Sequence, residues 1–217
     1  QIEGYFAINL KASVFSDFQD FMLAVNNRSN GSDIESNNIN CASRCKNNVS
    51  PDSSVERSPG ALKSLAGADD SLKVQVEQAK AAILYPPFGL HTLISGPTGV
   101  GKTTFAEAMY RFALETGRLP QDAPFIVFNC ADYAENPQLL LAHLFGHMKG
   151  AFTGADRTKE GLVSQADGGI LFLDEIHRLP PEGQEMLFLL MDKGMYRMMG
   201  ETCNTRKAQV LIIAATS

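Results

Sequence analysis

With 217 residues, 44% of them hydrophobic, the chain can bury one substantial core. A formal net charge of −5 argues against a general nucleic-acid grip in this segment, because phosphate contacts need clustered Lys and Arg. No apolar run approaches the roughly 20 residues of a membrane helix and no signal-peptide pattern opens the sequence, so a cytoplasmic protein is expected.

Residues 1–25 hold one helical segment, Ser16 to Val25, with Phe18, Phe21, Met22 and Val25 at helical spacing and Ser16 and Gln19 suited to a capping box. It reads as the tail of a preceding region. Residues 26–64 are rich in Asn and Ser and nearly devoid of large apolar side chains. Such a stretch buries too little surface to offset its conformational entropy, and a disordered linker is expected. The four cysteines (Cys41, Cys45, Cys130, Cys203) are too scattered for a disulfide framework, and Cys41 and Cys45 lack a second ligand pair for a metal.

A folded domain is expected over 65–217. Leu72, Val76, Ala79 and Ile83 share a helix face, with N-cap chemistry at Asp69, Asp70 and Ser71 and a stop at Pro86-Pro87. Then comes Leu90 to Thr104, around which the rest is organised. An apolar strand runs into Gly96, Pro97, Thr98, Gly99, Val100, Gly101, Lys102, Thr103 and Thr104 at the start of a helix. This is the spacing of a phosphate loop. Glycines let successive N–H groups face phosphate oxygens, and the helix start adds unpaired donors and a positive dipole end. Lys102 would reach the β- and γ-phosphates of ATP, and the Thr103 hydroxyl would coordinate Mg²⁺.

The helix from Thr103 to Thr116 closes at Gly117, and Phe125 to Phe128 reads as a strand buried on both faces of a parallel sheet. Ile170 to Leu173 is another strand, and it runs directly into Asp174 and Glu175. That fits the second half of a phosphate-loop site, with Asp174 beside the Mg²⁺ and Glu175 orienting the attacking water. Val210 to Ala215 forms a further strand with Thr216 at its tip, placed to sense the γ-phosphate. Strand and helix alternate, which predicts right-handed βαβ units. His143 and His147 lie four apart but lack the glutamate of a zinc protease and read as structural. The methionines from Met186 to Met199 read as core packing.

One stretch has no role in nucleotide chemistry. Gly150, Ala151, Phe152, Thr153, Gly154 and Ala155 set flexible ends around one aromatic, which suits a mobile loop that presents Phe152 to a partner. This GAFTGA run resembles the signature loop of the bacterial enhancer-binding AAA+ ATPases that activate sigma-54 RNA polymerase. The phosphate loop and the run from Gly161 to Ile176, GLVSQADGGILFLDEI, carry the same resemblance, which spans Leu65 to Ser217. The approach Tyr85-Pro86-Pro87 and the run Asn129 to Tyr133 look most like the levanase-operon regulator branch.

The resemblance implies an α/β P-loop NTPase fold of AAA+ type, a parallel sheet with flanking helices. It implies a hexameric ring that uses ATP to drive the Phe152 loop against sigma-54 and open the promoter complex. Promoter or enhancer DNA would be read by a domain outside this segment, and phosphotransferase-system proteins would be partners in the control of sugar-uptake operons. Asn129 matches a switch residue that holds the catalytic glutamate when the partner is absent, and Thr216 matches the sensor. The family's arginine fingers, fifth strand and helical lid fall after the position of Ser217. The strand before the phosphate loop is therefore expected at an exposed sheet edge, and the 217 residues alone are expected to turn over ATP poorly and not to form a ring. Met148 and Ser217 depart from the usual acid and Asn. Two rival readings are another AAA+ remodeller, such as a chelatase or unfoldase, and a nucleotide-gated binding module without useful hydrolysis.

Overall fold

A computed structural model of the chain describes residues 5–9 and 60–217. In chain order the main elements are β1 (Tyr5–Asn9), α1 (Lys73–Leu84), β2 (His91–Ser95), α2 (Lys102–Glu115), β3 (Phe125–Asn129), α3 (Pro137–Phe145), β4 (Ile170–Asp174), α4 (Pro181–Lys193) and β5 (Leu211–Thr216). The strands form a 5-stranded parallel sheet in the order β1-β2-β5-β4-β3. Two short antiparallel ribbons lie outside it, Gly146–His147 with Lys159–Glu160 and Met195–Tyr196 with Arg206–Lys207.

Alternation along the strands explains the layering. Ile170 and Phe172 of β4, with Leu211, Ile213 and Ala215 of β5, pack against Val76 and Ile83 of α1 and Phe105 and Met109 of α2. Leu171, Leu173, Ile212 and Ala214 face the other way, onto Leu140 and Leu144 of α3 and Leu187 and Leu190 of α4. With helices on both faces, the central strands need apolar side chains at every position, which is why they appear in the sequence as continuous runs.

Four expectations are corrected. β3 is the outer strand beside β4, so Val127 is 50% exposed and the strand is not buried on both faces. The edge beside β2 is covered: β1 pairs along it from Tyr5 opposite His91 to Asn9 opposite Ser95, and Ile8 is fully buried. Residues 5–9 are thus part of the sheet. At the other boundary, the ordered domain reaches back to Gly60, because the 3-10 turn Ala61–Ser64 buries Leu62 against α2 and the Ala61 N–H donates to the Glu115 carboxylate at 3.0 Å. Finally, α1 starts after Leu72 with no side-chain cap from Asp69, Asp70 or Ser71. The segment Ser16 to Val25, Cys41 and Cys45 lie outside the described residues.

The entry into β4 is the tightest backbone approach in the sheet. A Cβ on Gly169 would stand 2.1 Å from the Pro124 carbonyl oxygen, on the strand that feeds β3. Neither backbone can yield without breaking the bond from the Ile170 N–H to that same oxygen. Gly169→Ala is therefore expected to destabilise the domain by about 3 kcal/mol, read as a lowered urea midpoint at unchanged m-value.

His91 ties two strands together at the opposite end of the sheet from the phosphate loop. Its Nδ1 accepts from the Ile212 N–H at 3.0 Å, and the ring is hydrogen-bonded to the Met191 backbone. Burial of the ring lowers its pKa from 6.5 to about 4, against the smaller opposing pull of Met191. Between those values the unfolded chain binds a proton that the folded chain does not. Stability is accordingly expected to fall as pH drops from 6.5 towards 4, by about 3 kcal/mol from this residue. Urea titrations of the wild type and His91→Gln across that window check this, since the variant should lose most of the slope.

Candidate nucleotide and partner-binding site

The phosphate loop is the turn between β2 and α2. Gly99 and Gly101 have φ values of +81° and +92°, where an L side chain is strained even though a Cβ would find open space at both. Backbone conformation, not crowding, is what requires glycine here. The Gly96 N–H bonds the Thr216 carbonyl at 3.2 Å, which fastens the start of the loop to β5. Gly101 opens α2 with no side-chain cap and no acid in the first turn, leaving the helix donors at Lys102, Thr103 and Thr104 for an anion. Lys102 is buried, and its ammonium donates to the Gly96 and Pro97 carbonyls at 2.9 and 3.3 Å. A cation held against loop carbonyls, among uncapped N–H groups, fits a polyphosphate. Pro97, Thr98 and Val100 complete the loop, and Val100 closes it through an N–H bond to the Pro97 carbonyl at 3.3 Å.

The strand order brings the other candidates to the same edge. In register, Ser95 of β2 lies opposite Thr216 of β5, and Asp174 of β4 lies opposite Asn129 of β3. The four strand tips thus line the end of the sheet that carries the loop. Thr103 at the helix start and Asp174 at a strand tip supply the oxygen ligands suited to Mg²⁺, which would neutralise phosphate charge when bound.

Glu175 follows β4 in the left-handed region, φ 50°, the sole non-glycine with positive φ among the described residues. Its N–H donates to Asp174 Oδ1 at 2.9 Å, so the two acids share one tight turn. Its carboxylate accepts from the Ser217 hydroxyl at 3.0 Å and lies 3.3 Å from His177 Nδ1. The expected hold by Asn129 is not what the structure has. Asn129 donates to Asp132 Oδ1 at 3.1 Å and accepts from the Ala131 N–H at 3.0 Å, capping the 3-10 turn after β3. Local geometry explains this, because an Asn at the start of a turn bonds the N–H two residues on. His177 and Ser217 are the residues that the sequence reading missed as partners of Glu175. Cys130, buried at this end of the sheet, has its thiol pushed up to about 12 by burial and then by Asp174, Glu175 and Asp132.

The GAFTGA segment is a compact loop beyond α3. The Gly150 N–H bonds the Ala155 carbonyl at 2.8 Å and the Ala155 N–H bonds the Phe152 carbonyl at 3.0 Å, with φ above +80° at Gly150 and +96° at Gly154. Thr153 and Gly154 are exposed and Ala155 is buried. Phe152 is not a free tip. It is half-buried, and its ring meets that of His147 edge-on at 5.0 Å. Ala151 rests on Gly200, where an added Cβ would come within 2.8 Å. No group of metal-binding side chains includes His143 or His147 among the described residues. His143 packs against Tyr133, the rings tilted by 31° with centroids 4.9 Å apart.

A cavity of about 960 Å³ opens elsewhere, lined by Tyr85, Phe88, His91, Arg118 and Lys207 among others and by none of the phosphate-loop residues. No helix among the described residues is long and apolar enough to cross a membrane.

Comparison with known proteins agrees with this arrangement. The chain is 60% identical over 156 residues to the transcriptional regulatory protein LevR of Bacillus subtilis, covering 72% of this chain and 17% of that protein. It is 57% identical over 156 residues to the transcriptional regulatory protein DagR of Salmonella typhimurium, covering 71% and 16%. The chain therefore spans about one sixth of the length of these curated relatives. Among solved structures, NtrX of Brucella abortus superposes with a TM-score of 0.52 at 26% identity, over 65% of this chain and 30% of that one. A second NtrX structure, in complex with ADP, gives the same score over 65% and 29%. The family described as the sigma-54 interaction domain matches residues 65–217. With that match over most of the chain and the parallel sheet around the phosphate loop, this chain belongs to the sigma-54 interaction domain family and has its α/β P-loop fold of AAA+ type.

Proposed function

We propose that the protein containing this chain is an ATP-dependent transcriptional activator that remodels sigma-54 RNA polymerase through the Gly150–Ala155 loop. The observation that carries the reading is the meeting, at one end of the sheet, of Lys102 on the phosphate loop with the tips of β4 and β5, which bear Asp174, Glu175 and Thr216. In this reading the loop and α2 bind the phosphates of ATP, Thr103 and Asp174 hold Mg²⁺, and Glu175 takes a proton from the attacking water. Thr216 reports the γ-phosphate to β5. The Phe152 loop is the moving part. ADP in an NtrX structure supports nucleotide binding by this fold. Assembly into a hexameric ring, DNA recognition by a domain outside this segment, phosphotransferase-system partners, sugar-operon targets and a cytoplasmic location rest on the family resemblance.

Lys102→Ala tests the nucleotide half of the reading. In the full-length protein it is expected to reduce ATP turnover to background, at least about a hundredfold, because a charge-assisted clamp on the transferring phosphate is lost. Steady-state phosphate release measures it. Turnover close to wild type would overturn the assignment of the site.

A further inference from the structure

The contacts around Glu175 single out a residue that no nucleotide motif contains. His177 sits two residues beyond Glu175, in the 3-10 turn Ile176–Arg178, with its side chain only 14% exposed. Its Nδ1 lies 3.3 Å from Glu175 Oε2 and 3.1 Å from Thr216 Oγ1. One ring nitrogen therefore contacts both the carboxylate after β4 and the hydroxyl at the tip of β5.

The Thr216 contact leaves the donor and acceptor roles of Nδ1 and Oγ1 to the ring's tautomer. The tautomer with a hydrogen on Nδ1 is the one that makes the adjoining Glu175 carboxylate a favourable neighbour, because an ionised carboxylate only accepts. In that tautomer Nδ1–H lies between Oε2 and Oγ1, and Thr216 Oγ1 accepts. Ser217, the residue just after β5, donates its hydroxyl to the same Oε2 at 3.0 Å. The Glu175 carboxylate is tied to β5 at two points, one direct and one through an imidazole, while Asn129 is engaged with Asp132.

We infer that His177 is a positioning residue: its Nδ1–H aims the Glu175 carboxylate and links it to Thr216, so that the strand tip facing the phosphates and the proton-accepting group move as one unit. The inference rests on the hydrolytic reading above. It follows that His177 acts on the chemical step and not on nucleotide affinity. Glu175 itself sits in a strained left-handed turn, whose direction a second anchor helps to fix. A misdirected base loses rate because the water and carboxylate no longer meet in line.

Full-length protein with His177→Ala is expected to keep KM for ATP within about twofold and to lose kcat about tenfold. His177→Asn places an amide N–H close to where Nδ1–H lies, and is expected to recover kcat to within about threefold of wild type. An unchanged kcat in the alanine variant, or an asparagine variant as slow as the alanine one, would overturn the inference. The proton position is checked separately by solid-state ¹⁵N spectra of sedimented, histidine-labelled wild-type protein, with the signal assigned by its loss in His177→Asn. A hydrogen on Nδ1 is expected, and a ring protonated at Nε2 alone would overturn the contact whatever the turnover. Wild-type protein without ATP turnover would instead overturn the function proposed above.

Discussion

Replacing Glu175 with Gln is expected to lower ATP turnover about 10²- to 10⁴-fold and to leave nucleotide affinity within about twofold. The substitution keeps the shape of the side chain. The amide oxygen can still accept from Ser217, which donates to Oε2 at 3.0 Å, so the turn after β4 has no reason to rearrange. Proton acceptance is lost outright. Lys102 bonds the Gly96 and Pro97 carbonyls of the phosphate loop and not the substituted carboxylate, so binding is expected to persist. Steady-state turnover together with equilibrium binding of a fluorescent ATP analogue separates the two effects. Turnover within tenfold of wild type would favour the rival reading of a nucleotide-gated binding module.

Replacing Phe152 with Ala is expected to abolish promoter opening while ATP turnover stays within about threefold of wild type. An aromatic anchor at the centre of a contact commonly contributes about 2 kcal/mol or more, which is about 30-fold in affinity. The fold should tolerate the change. Phe152 is only half-buried, and among the described residues its ring meets that of His147, itself on the short ribbon Gly146–His147. Single-round transcription from a sigma-54 promoter, run beside an ATPase assay of the same preparation, reads both quantities. Loss of ATPase in step with transcription would mean that the residue supports the domain and does not transmit force.

The resting position of Phe152 also shows what a motif cannot carry. GAFTGA is legible as a loop from its glycines, and φ values above +80° at Gly150 and +96° at Gly154 use them as such. That the ring lies edge-on to His147 is a tertiary fact, with no spacing in the sequence to announce it. The same division runs through the molecule. Ile170 to Leu173 and Leu211 to Ala215 were readable because burial on both faces forces apolar side chains at every position. Phe125 to Phe128 looked alike, yet β3 is the outer strand and Val127 is half exposed, since an apolar run does not encode its rank in the sheet. Tyr5–Asn9 escaped for a different reason. Five residues are too few to set a periodicity, and only pairing with β2 makes them a strand.

The site divides in the same way. The phosphate loop and the paired acids are contiguous in sequence, so residue type and spacing reveal them. The partners of Glu175 are not contiguous. Ser217 reaches it from just beyond β5, 42 residues away, and His177 reaches back because the chain turns sharply through a left-handed Glu175. A polar ring two residues after the acids, between the buried Ile176 and Leu179, was the available signal. Asn129 carried the opposite lesson. Its bonds here follow the local preference of Asn for the N–H two residues on, which residue type announces and a family motif does not.

In the proposed mechanism, nucleotide chemistry at the end of the sheet is delivered to sigma-54 through Phe152. The most direct test loads the full-length protein with a transition-state mimic of ATP hydrolysis and asks, by size-exclusion chromatography, whether it co-elutes with purified sigma-54. Co-elution of the wild type and its loss in Phe152→Ala is the predicted result. Failure of the wild type to retain sigma-54 while its ATPase is intact would contradict the account and favour a remodeller of some other substrate.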